Sequence, residues 1–174
     1  MTRLGILIVA LALAGCDSDT NPPTGPSSSG SIIFTSELLA SNEVPTITGP
    51  EAGAGGAVTI TFEVLRDSSG NITGGGSATF AIQLNSFPAG TPAIAAHIHP
   101  GPAGTIGGVL VNTGLSPAAP ILLGDGTANV AMTINTLTQA QAAAVLANPA
   151  NFYFNVHTPL NPGGAVRGQL VRIR

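Results

Sequence analysis

The sequence predicts an all-β chain: an antiparallel, Greek-key-type β-sandwich or barrel of about eight short strands with one short connecting helix. Three observations carry this. Apolar residues alternate with Thr, Ser, Gln and Asn at period two, as in Val58, Ile60, Phe62 and Val64 against Thr59, Thr61 and Glu63. Glycine (23) and proline (14) punctuate the chain at intervals that suit turns rather than long helices. Charged residues are only 7% of the chain, against roughly 25% in ordinary soluble proteins, while 44% are hydrophobic, enough for one core.

The chain opens with a different kind of segment. Arg3 precedes an apolar run, Leu4 to Leu13, too short for a membrane span of roughly 20 residues but suited to a signal-peptide core. It ends in Leu13-Ala14-Gly15-Cys16, the pattern of a bacterial lipobox, and Cys16 is the single cysteine in the sequence. Residues 1–15 are therefore expected to be a lipoprotein signal peptide and Cys16 the lipidated residue. The protein is then expected in the bacterial cell envelope, lipid-anchored and extracytoplasmic. Asp17 resembles the enterobacterial inner-membrane retention signal, a rule other lineages do not follow, so periplasmic and surface locations both stay open. Residues 16–30, rich in Pro, Ser and Gly and free of aliphatic side chains, read as a flexible tether. One cysteine excludes a disulfide scaffold. A net charge of −3 with no lysine and no basic cluster argues against a nucleic-acid partner.

The folded domain is expected over residues 31–174. Strands are predicted at 32–40, 58–64, 78–84, 94–99, 108–112, 130–134, 152–157 and 166–173, with turns at 67–71 (DSSGN) and 124–126 (GDG). Residues 138–147 break the alternation with good helix formers. Thr138 and Gln141 have capping-box spacing, and Asn148-Pro149 stops the helix, with Val145 and Leu146 packed on the sheet.

Three histidines stand out in a chain with so few ionisable groups. His97 and His99 are two apart on a strand and share a face, opposite Ala96 and Ile98. His157 ends a strand whose apolar set is Phe152, Phe154 and Val156, so it too is expected on the face away from the core, with Tyr153 and Asn155. Both strands run into Pro/Gly loops, 100–104 and 158–164, where a scaffold usually carries its site. Two readings follow. The imidazoles bond backbone carbonyls and brace the loops, or they form a metal site, with copper favoured because no Asp or Glu lies between Asp67 and Asp125 to act as the base of a zinc hydrolase. No nucleophile triad, carboxylate pair or phosphate loop is recognisable, and no catalytic residue is assigned.

Several stretches resemble the CHRD domain, a module named from chordin and found also in bacterial secreted proteins. They are residues 38–45 (LLASNEVP), 95–104 (AAHIHPGPAG) with 107–111 (GGVLV), 137–146 (LTQAQAAAVL), 152–158 (FYFNVHT) and 161–170 (NPGGAVRGQL). The resemblance implies a binding or structural module; in chordin such domains sit in an extracellular antagonist of growth-factor signalling. A fainter similarity is to the copper site of copper/zinc superoxide dismutase, on His-x-His, a later Val-His and a Gly-rich turn with arginine. It implies His97, His99 and His157 as copper ligands and Arg167 as an anion guide, without the histidines of the zinc position or the cysteine pair. The leading expectation is thus a non-enzymatic, membrane-anchored binding or structural module, its polar face a surface for another protein. The alternative is a copper-binding domain, for storage, delivery or superoxide-dismutase-like chemistry.

Overall fold

A computed structural model describes residues 28–174; the expected signal peptide, Cys16 and most of the expected tether lie outside the described residues. The first three strands form a long meander. β1 (Ser28–Leu39), β2 (Gly55–Arg66) and β3 (Ile72–Asn85) are antiparallel neighbours, and β8 (Ala128–Leu137) adds to β3. β1 begins at Ser28, opposite Arg66, within the stretch read as tether. The other half of the sheet is built from β5 (Ala95–Pro100), β6 (Val111–Asn112), β9 (Phe152–His157) and β10 (Val166–Gln169). The strand order β6-β5-β9-β10-β1-β2-β3-β8 curls into a nearly closed barrel, as predicted, with the non-sequential neighbours of a Greek-key-type path. β11 (Val171–Arg172) pairs with β1, and β4 (Thr91–Ala93) with β7 (Ile121–Leu123) makes a small second sheet.

The alternation does what period two requires. Ile32, Phe34, Val58, Ile60, Phe62, Ala78, Phe80 and Ile82 point into the barrel and are buried, while Thr79 and Thr133 meet on the outer face at 2.9 Å. Phe34 packs edge-on to Phe62, and Phe80 stacks on Phe154 across the interior at 5.8 Å. The helix α1 (Gln139–Ala147) has the predicted capping box. The Thr138 hydroxyl accepts from the Gln141 amide, and the Thr138 amide donates to the Gln141 side chain at 2.8 Å. Ala142 and Val145 bury its inner face, and Leu146 packs at the edge of the core.

Two predicted strands are shorter or broken. Residues 108–110 leave the expected ladder, because the preceding chain arches back over β5 instead of extending β6. Gly107 lies so close to the Pro100 carbonyl that a Cβ there would sit 1.7 Å from the oxygen. Residues 166–173 divide at Leu170, whose side chain turns into the core while its amide donates to the Phe152 carbonyl at 2.9 Å.

Candidate metal centre

The register of three strands places the polar residues in rows. His97 lies opposite Asn155, which lies opposite Arg167; His99 lies opposite Tyr153, which lies opposite Gln169; and His157 faces Ala95. Directly opposed residues share a face. The barrel wall β5-β9-β10 therefore carries apolar Ala96, Ile98, Phe154 and Val156 inward, and histidine, tyrosine, asparagine and arginine on its other side.

That other side is not the open surface the alternation suggested. His99 and His157 are 6% and 8% exposed, Arg167 only 2%, and His97 is half-buried. Loops cover them, stitched down by hydrogen bonds. The loop after β5 is held by Arg167 donating to the Thr105 carbonyl (2.8 Å), Gln169 donating to the Gly101 carbonyl (3.0 Å), and the Gly107 amide donating to the Tyr153 hydroxyl (3.2 Å). Gln141 on α1 reaches the Leu110 carbonyl at 2.8 Å, so the helix also anchors this loop. The loop after β9 is fastened by Glu51, whose buried carboxylate accepts from Thr158 and Asn161. Period two specifies a face but not what a long Gly/Pro loop does above it.

Beneath this cover the three imidazoles converge: one nitrogen from each ring lies within 4.8 Å of the others. The brace engages one nitrogen of His99 and of His157 and leaves the other nitrogen of each ring to a site. His99 Nδ1 is 3.0 Å from the Gly107 carbonyl, and His157 Nδ1 is 3.0 Å from the Pro162 carbonyl. A carbonyl only accepts, so each Nδ1 carries the proton and each Nε2 keeps a lone pair in the neutral ring. His99 Nε2 is buried with no hydrogen-bond partner. His157 Nε2 is 3.1 Å from His97 Nδ1, close to the N–N separation of roughly 3.3–3.5 Å that two ligands adopt around one ion at about 2.0 Å. Histidines that ligate metals typically donate their other N–H to a carbonyl in this way, which fixes tautomer and ring direction.

The electrostatics suit a cation held by neutral rings. Burial, with His157 and His99 nearby, holds the His97 imidazole down at about 4. Burial also lowers His99, where Arg167 adds to the effect, and His157, where His99 does. The unfolded chain therefore binds protons below its ordinary His value of 6.5 that the folded rings refuse, so stability present above 6.5 is lost as pH falls through about 4. At about pH 6, where an exposed imidazole is mostly protonated, long-range 15N–1H spectra of the metal-free chain should show a neutral His97 ring, and the neutral forms of His99 and His157 should carry their proton on Nδ1. A protonated His97 ring, or an Nε2–H tautomer at His99, would contradict this reading.

Four residues outside the predicted set belong to this centre. Tyr153 stacks on His99 (5.0 Å, 7° between planes), and the Arg167 guanidinium lies 3.5 Å from the centre of the Tyr153 ring. Gln169 accepts from Arg167 at 3.3 Å. Asn155 lies between His97 and Arg167, its Oδ1 buried without a partner. Glu43, on the 41–46 loop, is 6% exposed, and burial raises its carboxyl to about 7 against the pull of Arg167. Tyr153 and Asn155 were legible as face-mates of His157, whereas Gln169 joins them only through the register of β10 against β9. Glu43 is far from them in sequence, and no spacing connects it to the site. A groove of about 650 Å³ opens beside this centre, with Glu43, Arg167 and Gln169 in its lining.

Fold and site together define an antiparallel β-barrel module with a loop-covered, three-histidine centre able to hold a metal ion. The chain belongs to the CHRD domain family, whose model matches residues 34–170, so the match takes in every strand from β2 to β10 and all three histidines. No curated protein and no solved structure matches the chain.

Proposed function

We propose that this protein is a lipid-anchored, extracytoplasmic binding module whose CHRD domain holds one copper ion on His97, His99 and His157 without turning over a substrate. The observation that carries the reading is His99 Nε2, a buried lone pair with no partner, on one of three imidazoles that bring a nitrogen each within 4.8 Å of one another. Leaving such an acceptor unsatisfied costs about 1–3 kcal/mol, a penalty that a bound cation removes. Copper is favoured over other ions because an all-imidazole donor set suits it. The CHRD assignment supports a module rather than an enzyme, and Arg167, which the dismutase resemblance would make an anion guide, is engaged with Thr105, Gln169 and Tyr153. The lipobox at Cys16 would fix the module to the envelope membrane and residues 17–27 would give it reach.

Titration of the detergent-solubilised chain with copper, followed by desalting and elemental analysis, should give one ion per chain, with zinc displaced in competition. A chain that keeps no copper, or keeps zinc in preference, overturns the reading of the site. Separately, Cys16→Ser should move the protein from the membrane pellet to the soluble fraction; an unchanged pellet would overturn the anchor.

A further inference from the structure

We infer that Arg167 biases the three-histidine centre by charge, favouring a singly charged ion such as Cu(I) against doubly charged ions such as Zn(II). This rests on the metal-site reading above and deepens it. Arg167 is the largest fully buried side chain among the described residues, 2% exposed, and an arginine keeps its charge even there. The partners of its guanidinium are neutral: the Thr105 carbonyl, the Gln169 amide oxygen and the face of Tyr153. Tyr153 in turn lies flat on His99, so the guanidinium is on the order of 8 Å from a ligand ring, with an aromatic ring rather than open water between them.

The ligands themselves do not offset this charge. Three neutral imidazoles bring no negative charge to the ion, unlike thiolate or carboxylate sets. An incoming ion therefore meets a fixed positive charge at short range, and a doubly charged ion is repelled twice as strongly as a singly charged one. At an effective dielectric constant of about 20 and a separation of roughly 10 Å, the extra unit of charge weakens binding by about tenfold. The carboxyl that could cancel Arg167 is Glu43, and burial keeps it largely protonated below neutrality.

The test compares Ag(I), a redox-silent stand-in for Cu(I), with Zn(II) on the full chain in detergent, using competing chelators. Arg167→Gln should lower the ratio of Ag(I) to Zn(II) affinity about tenfold, mainly by strengthening Zn(II), whereas Arg167→Lys should keep it within about twofold. An unchanged ratio in Arg167→Gln, with both ions still bound and both lost in His99→Ala, overturns the role of Arg167 and leaves the site standing. Failure of the wild-type chain to bind either ion overturns the site itself. Where circular dichroism shows the glutamine variant unfolded, Glu43→Gln reads the same field with opposite sign. At about pH 8, removing the carboxylate that opposes Arg167 should raise the ratio several-fold, and no rise overturns the inference.

Discussion

Replacing His99 with alanine should abolish copper retention: the wild-type chain carries one ion through desalting and the variant carries none. His99 is the ligand whose loss the centre cannot absorb. Without it, His97 Nδ1 and His157 Nε2, already 3.1 Å apart, satisfy each other through a hydrogen bond, and no unpartnered buried imidazole nitrogen remains to be filled. The metal-free fold should tolerate the change. The Gly107 carbonyl loses a donor worth about 1 kcal/mol, but an unsatisfied buried nitrogen leaves with the ring. Thermal unfolding with and without metal separates the two effects. Copper at about a thousand times its dissociation constant adds roughly 4 kcal/mol to the wild-type domain, and that increment should vanish in the variant. A variant that keeps both its copper and its copper-induced shift would place the ion elsewhere.

The strands were legible because burial on one face leaves a period-two imprint, as in Ala78, Phe80 and Ile82 of β3. The two-residue spacing of His97 and His99 likewise guarantees a shared face, and the register of β9 against β5 brings His157 to them. What escaped sequence reading is the third dimension above that face. The loop after β5 folds back because Gly101 (φ 148°) and Gly104 (φ 79°) adopt conformations closed to most residues, and because Gly107 touches the Pro100 carbonyl. A run such as PGPAG announces a turn but not its direction. The same holds for Glu43: its carboxyl packs where a Cβ on Gly164 would sit 2.5 Å from Oε1, a contact between segments that only the closed barrel brings together.

Phe154→Ala should cost about 3–5 kcal/mol, more than any polar substitution around the centre, and should weaken the metal site without touching a ligand. The ring is fully buried and stacks on Phe80 of the opposite half of the barrel. It is also the inward anchor of β9, the strand that presents Tyr153, Asn155 and His157 to the histidine face. Truncation leaves a cavity between the two halves of the sheet, which the nearly closed barrel cannot collapse without shifting β9 against β5 and β10. Set against the 5–15 kcal/mol of a typical domain, this is a large fraction of the total. The midpoint of thermal unfolding, followed by circular dichroism, should fall by roughly 10 °C or more. Copper affinity should fall as well, because a ligand set must be held to about 0.5 Å to bind productively. Leu160→Ala is the matched control: that residue is 58% exposed on the loop after β9, and its loss should change stability by no more than about 0.5 kcal/mol. If Phe154→Ala melts no lower than Leu160→Ala, the packing between the two halves of the barrel does not hold the histidine face in place. If it melts lower but binds copper with wild-type affinity, the centre is positioned by its covering loops rather than by the core beneath it.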